Sequence, residues 1–121
     1  MKIKIYLLTY NNSEALNNNL KSLYENMGDS IGCSIEIFVI NNHTNFTINP
    51  DYEHHVKVIH NAAQPDFATA MLARMWNTAI IHGFRDLKNP DADIVVTSQD
   101  DTVWSLEWIQ KLVNVMADYD F

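Results

Sequence analysis

Lys2 to Thr9 reads KIKIYLLT, and the polar run Asn11-Asn12-Ser13 follows one residue later. The octet begins as an alternation of charged and β-branched residues and becomes continuously apolar at Tyr6 to Leu8, as a strand does on entering a covered sheet. The polar run supplies N-cap candidates. Beyond it, Leu16, Leu20, Leu23, Tyr24 and Met27 recur at i, i+4, i+7, i+8 and i+11, which predicts one apolar stripe on a helix that stops near Gly28. A buried strand leading straight into an amphipathic helix is the opening of an α/β fold.

The remainder of the chain repeats this alternation. Ser34 to Ile40 (SIEIFVI) predicts a second strand, which ends in the turn-forming cluster Asn41-Asn42-His43-Thr44. A polar loop containing Pro50 leads to a short third strand, Val56 to Ile59. Pro65-Asp66 marks a helix start, with Phe67, Met71, Leu72, Met75, Trp76, Ala79 and Ile80 as the buried face and Gly83 as the stop. Asp93 to Thr97 (DIVVT), after the breaker Asn89-Pro90, predicts a fourth strand. Ser105 is then placed to cap a last helix whose apolar positions are Leu106, Ile109, Leu112, Val113 and Met116. The predicted order is β-α-β-β-α-β-α, which implies a Rossmann-like, mainly parallel sheet with right-handed crossovers.

A length of 121 residues fits a single domain. Apolar residues are 47% and charged residues 19%, which excludes disordered and low-complexity classes. No apolar run is long enough to span a membrane, and Met1-Lys2-Ile3-Lys4 is no signal h-region, so the expectation is a soluble, unprocessed, cytoplasmic chain. Cys33 is the one cysteine, expected to be a buried structural thiol with no internal disulfide. Eight Lys and Arg against fifteen Asp and Glu give a net charge of −7, which disfavours nucleic acid and anionic membranes as partners. An anionic ligand would therefore need positive charge from outside the chain.

In open α/β sheets, ligands bind beyond the carboxyl ends of the strands, where loops and helix N-termini meet. Three hydrogen-bonding clusters fall on that edge: Thr9-Tyr10-Asn11-Asn12, Asn41-Asn42-His43-Thr44 and Gln99-Asp100-Asp101. Each alone is also an ordinary turn or cap. Asp100 and Asp101 carry the most chemistry. Two carboxylates about 4 Å apart repel by about 4 kcal/mol at an effective dielectric near 20, and a cation relieves this. Hard oxygen donors suit Mg²⁺ or Mn²⁺, which complete their shell with water and phosphate oxygens. Equally, the pair can be a solvated turn or the acidic start of the last helix. His54 and His55 would point to opposite faces of a strand, and Arg74 reads as a solvated helix position. There is no GxGxxG, P-loop, GxSxG or CxxC, which removes dinucleotide oxidoreductases, P-loop NTPases, α/β-hydrolases and thioredoxin-like proteins.

Together these residues resemble the N-terminal, nucleotide-sugar-binding half of family 2 glycosyltransferases with the GT-A fold. Leu8-Thr9-Tyr10-Asn11-Asn12 is similar to that family's first strand and turn, and Ile37 to Thr44 to its second strand. Ala73-Arg74-Met75-Trp76-Asn77-Thr78-Ala79-Ile80 resembles its Arg-bearing helix, with two residues inserted. Val95 to Asp101 resembles the strand that ends in its DxD-type metal motif, and Trp104 to Met116 the helix after it. The resemblance implies a UDP- or GDP-linked sugar donor, with Mg²⁺ or Mn²⁺ held by Asp101 against the diphosphate and Asp100 facing ribose or the metal. It also implies that Thr9, Tyr10 and Asn11 contact the base, that Asn41 lies beside it, and that Arg74 reaches base or phosphate. Asn41 stands where the family has Asp, and Gln99 where many members carry the first acidic residue.

In the family, the acceptor-binding half and its general base follow the metal motif, whereas this chain ends one helix later. The expectation is therefore a truncated GT-A domain, either a fragment of a longer enzyme or a reduced protein that binds without transferring. No residue matches a catalytic base. The large apolar residues of the last two helices suggest a partner surface, for an acceptor domain or a second copy. The alternative is a noncatalytic nucleotide-binding or interaction module that kept the fold but lacks the acceptor half; a receiver domain fits less of the sequence, because it would carry its acidic pair after the first strand, where Thr9-Tyr10 stands.

Overall fold

β1 (Lys2–Thr9) is buried along its length except at Lys2, which is the burial an interior strand requires. It lies between β2 (Ser34–Asn41) and β4 (Ile94–Gln99), and β3 (Val56–His60) pairs with the outer side of β2. The order is β3-β2-β1-β4 and every pairing is parallel. The structure is a computed structural model that describes residues 1–28, 32–43, 45–60 and 68–117. Four helices connect or follow the strands: α1 (Ser13–Glu25), α2 (Pro50–Glu53), α3 (Ala68–Phe84) and α4 (Trp108–Ala117). The Rossmann-like α/β reading holds, with one helix more than the sequence pattern gave.

The register aligns the strand ends. Thr9 is opposite Asn41, Leu8 is opposite Gln99, and Asn41 is opposite His60. The three polar clusters that follow β1, β2 and β4 therefore share one edge of the sheet.

The two faces of the sheet bury different cores. On one, Ile3, Ile5, Leu7, Ile37 and Val39 pack against Leu16, Leu20 and Leu23 of α1 and Trp108 and Ile109 of α4. The three α1 leucines are fully buried, each stabilising the fold by roughly 1.5–3 kcal/mol. On the other, Tyr6, Leu8, Phe38 and Ile40 meet Met75 and Ala79 of α3. Asn12 caps α1, its side-chain oxygen accepting from the Ala15 N–H at 3.2 Å.

Several expectations need correction. Gly83 does not stop α3, which runs on to Phe84. A Cβ at Gly83 would sit 2.6 Å from Val95 Cγ2, so glycine is there to let the helix approach β4. The turn out of the helix falls at Arg85, whose φ is +59°. Ser105 does not cap the last helix and Leu106 is exposed. Instead Glu107, at φ +57°, offers its carbonyl to the Lys111 N–H, and α4 begins at Trp108. Trp76 and Ile80 stay nearly half exposed rather than buried, because only one helix covers that face of the sheet among the described residues. Cys33 is half-buried, on a cavity of about 290 Å³ that it shares with Tyr24, Met27 and His55. The one-turn α2 lies inside the loop predicted to be irregular. Thr44, the proposed helix start Pro65-Asp66 with Phe67, and the side chains of Met71 and Leu72 lie outside the described residues.

Candidate functional site

The acidic pair sits where β1 and β4 end together. Thr9 is buried, and its hydroxyl donates to Asp100 Oδ2 at 3.2 Å. Asp100 is half-buried, and this desolvation pushes its carboxyl above the usual range, with the Asp101 charge adding to the rise. Hydrogen bonds from the Thr9 hydroxyl and the Tyr10 backbone N–H oppose it. Asp101 is exposed one residue further on, and the Thr102 N–H donates to the Gln99 carbonyl at 3.2 Å to close the turn.

All four ion pairs among the described residues use charges elsewhere, on Lys2, Lys4, Glu36, Lys57, Arg85 and Asp91. None neutralises Asp100 or Asp101. No group of three His, Cys, Asp or Glu side chains able to hold a metal occurs among the described residues. The donor set is thus two carboxylates with no third protein ligand, which fits a hard cation that takes its remaining oxygens from water and a ligand's phosphates. It does not fit a structural zinc site, which needs four protein ligands.

The β2 end lies alongside. Asn41 is buried, and its amide is used within its own turn: Oδ1 accepts from the His43 N–H at 3.1 Å, and Nδ2 donates to the His43 carbonyl at 2.7 Å. Nδ2 also lies 3.2 Å from His60 Nδ1 on the neighbouring strand. Asn42 follows, 1% exposed, with its backbone N–H on the Thr9 carbonyl and neither atom of its side-chain amide hydrogen-bonded among the described residues. Leaving such a buried group unpaired costs about 1–3 kcal/mol.

Tyr10 and Asn11 form the exposed rim. The Tyr10 ring stands edge-on to His43 with centroids 5.0 Å apart. Asn11 takes the left-handed conformation at φ +50°, which Asn tolerates, and its Oδ1 accepts from Asn45 Nδ2 at 2.9 Å. The chain thereby turns from β1 into the cap of α1. Thr9, Tyr10, Asn11, Asn41, Asp100 and Asp101 are thus gathered on one edge. Arg74 is exposed on α3, and no hydrogen bond or ion pair joins its guanidinium to them among the described residues. It borders a groove of about 460 Å³ with Asn77, Thr78 and Ile81.

Sequence reasoning missed Asn19. This α1 residue is 1% exposed. Its Nδ2 donates to the Gln99 carbonyl at 2.9 Å, and its Oδ1 accepts from Trp104 Nε1 at 2.6 Å. The available signal was its position between Leu16 and Leu23, at i+3 and i−4, on the buried stripe.

No protein-family model matches the sequence, and neither does the sequence of any curated protein. Solved structures do match. The four-stranded parallel sheet with its flanking helices is an α/β, Rossmann-like fold. One matching structure is S. aureus TarS, with a TM-score of 0.62 at 14% identity, over 98% of this chain and 20% of that one. The chain therefore spans about a fifth of the length of TarS.

Proposed function

We propose that the chain is the donor-binding part of a glycosyltransferase resembling family 2, taking a UDP- or GDP-linked sugar with Mg²⁺ or Mn²⁺. The observation that carries this reading is the junction of β1 and β4, where Asp100, bonded to Thr9, and Asp101 present two carboxylates with no protein cation paired to them among the described residues. The likeness of fold to TarS, a glycosyltransferase, supports it.

Asp101, the exposed member of the pair, would hold the cation, with Asp100 as second ligand or ribose partner. When bound, the cation supplies the positive charge that an acidic chain lacks and that a diphosphate needs, both as ligand and as leaving group. Thr9 fixes the Asp100 carboxylate. Tyr10 and Asn11 offer a ring face and an amide to the base. Asn41 shapes the turn beside them, and Arg74 is assigned to base or phosphate from the α3 side. The orphaned amide of Asn42 accords with a polar ligand or water at this edge. Because the chain covers about a fifth of TarS, we assign it donor binding and leave acceptor binding and the general base to residues outside it. We place it in the cytoplasm. No described helix is long and apolar enough to cross a membrane.

Calorimetric titration of UDP and GDP, first with Mn²⁺ and then with EDTA, tests this. Binding that needs the metal and disappears in Asp101→Ala is expected. No binding of either nucleotide in millimolar Mn²⁺ would overturn it.

A further inference from the structure

Gln99 and Trp104 bracket the acidic turn, and both are held by the same face of α1. Asn19, Ser22 and Asn26 lie at i, i+3 and i+7 of that helix and point a polar ladder at the loop. Asn19 Nδ2 donates to the Gln99 carbonyl, the backbone N–H of Trp104 donates to Ser22 Oγ at 3.0 Å, and Asn26 Nδ2 donates to the Trp104 carbonyl at 3.0 Å. Asn19 is the fixed point of the ladder. It is buried, and both ends of its amide are used on the loop, so moving it would leave buried polar groups unpaired. The Gln99 carbonyl it holds also accepts the Thr102 N–H that closes the turn. Asp100 and Asp101 lie inside that turn, and no hydrogen bond or ion pair joins α1 to their carboxylates among the described residues.

We propose that Asn19 is a positioning residue that presets the 99–104 turn, so that Asp100 and Asp101 face one cation without reorganising. This rests on the donor-site reading of the previous subsection. A turn held at both ends loses less freedom when a cation orders it, and groups that orient metal ligands typically change metal affinity by about 10–100-fold when removed.

Three proteins test the inference: the full chain, Asn19→Leu, and Asn19→Leu combined with Trp104→Phe. The single substitution strands the Trp104 Nε1–H and takes from the Gln99 carbonyl its α1 donor, leaving it the Thr102 N–H. The double one replaces both partners of the Asn19–Trp104 bond with apolar groups, a change that can be nearly neutral for stability. Thermal unfolding, amide exchange at Thr102, and Mn²⁺ binding in the presence of UDP, read from the spectrum of free Mn²⁺, are measured on each.

Asn19→Leu is expected to speed Thr102 exchange and to weaken Mn²⁺ binding about tenfold or more. The double variant should regain most of the lost stability while its Mn²⁺ affinity stays low, because the Gln99 carbonyl is still without its tie to α1. Affinity that returns with stability would mean that Asn19 only supports the fold, and would overturn the inference. So would unchanged exchange and affinity in Asn19→Leu. A wild-type chain that binds no Mn²⁺ with UDP would instead overturn the donor-site reading, and this inference with it. If Asn19→Leu does not fold, Asn19→Ala removes the same two bonds without added bulk and carries the same expectations.

Discussion

The two ends of the sheet handle polarity in opposite ways. At the amino end the chain satisfies itself. The Lys2 N–H donates to Asp93 Oδ2, the Asp93 N–H returns to the Lys2 carbonyl, and the Ser34 N–H reaches the Met1 carbonyl. The buried Lys4 ammonium is matched by Asp91, which also meets Arg85, while Lys2 and Lys57 share Glu36. At the carboxyl end, among the described residues, two carboxylates have no counter-charge and a buried amide has no partner. One end is closed by its own groups, and the other keeps groups that have no partner among the described residues. Changes at the amino end should therefore act on stability, and changes at the carboxyl end on ligand affinity.

The largest effect should fall at the carboxyl end. Asp101→Ala is expected to lower metal-dependent nucleotide affinity on the order of a hundredfold, about 2.7 kcal/mol, while its unfolding midpoint in urea stays put because the exposed carboxylate has no partner to lose. A loss of stability equal to the loss of affinity would break the contrast. At the amino end, Asp91→Asn uncovers the Lys4 ammonium, whose side chain is only 5% exposed. Asp91 itself is 38% exposed, so the full cost of breaking a buried pair is not reached, and a loss of about 1–3 kcal/mol with unchanged nucleotide affinity is expected from urea unfolding.

Gly83→Ala should cost about 1–2 kcal/mol through overpacking against Val95, and Val95→Ala in the same chain should recover part of it. Thermal unfolding of the single and double variants reads this coupling. Additive losses would mean that the close approach of α3 to β4 is not what requires glycine.

The pH dependence of stability should also report the amino half. The Tyr6 hydroxyl and His82 Nδ1 are hydrogen-bonded at 2.6 Å. Burial pushes the Tyr6 hydroxyl up to about 12, so the stability that neutral Tyr6 contributes is present below about 10 and is lost as pH rises from about 10 towards 12. Burial, helped by Lys4 and Arg85, lowers the His82 imidazole below 6.5, so stability is lost as pH falls through 6.5. A plateau between those limits, with an acid limb that His82→Gln flattens, is the expected urea-midpoint profile. The smallest effect is Lys57→Ala, under about 0.5 kcal/mol, because that side chain is 71% exposed and 3.9 Å from Glu36.

Much of this architecture was legible in the sequence because its signals are local. The alternation and apolar runs of Lys2–Thr9 and Ser34–Ile40 located the strands to within a residue, and the leucine stripe located α1. The strand ends then implied which edge would carry Thr9, Asn41 and Asp100. What escaped depends on partners distant in the chain. Gly83 looks like a helix stop until Val95 is packed against it. Ser105 looks like a cap, yet the binding of Trp108 Nε1 to the Leu23 carbonyl sets where α4 begins. Asn19 looks like one more residue of the solvated run Asn17-Asn18-Asn19, and its role depends on Gln99 and Trp104, eighty and eighty-five positions away. Pro50–Glu53 is a single turn, too short for any periodicity to reveal.

Paramagnetic broadening of backbone amide signals by Mn²⁺ with UDP tests most directly whether the carboxyl edge is the ligand site. The account predicts selective loss of the signals of Thr9 to Asn11 and of Gln99 to Thr102, with Lys2, Ser34, Val56 and Ile94 at the opposite edge retained. Broadening centred on the amino edge, or none at any position, would contradict it.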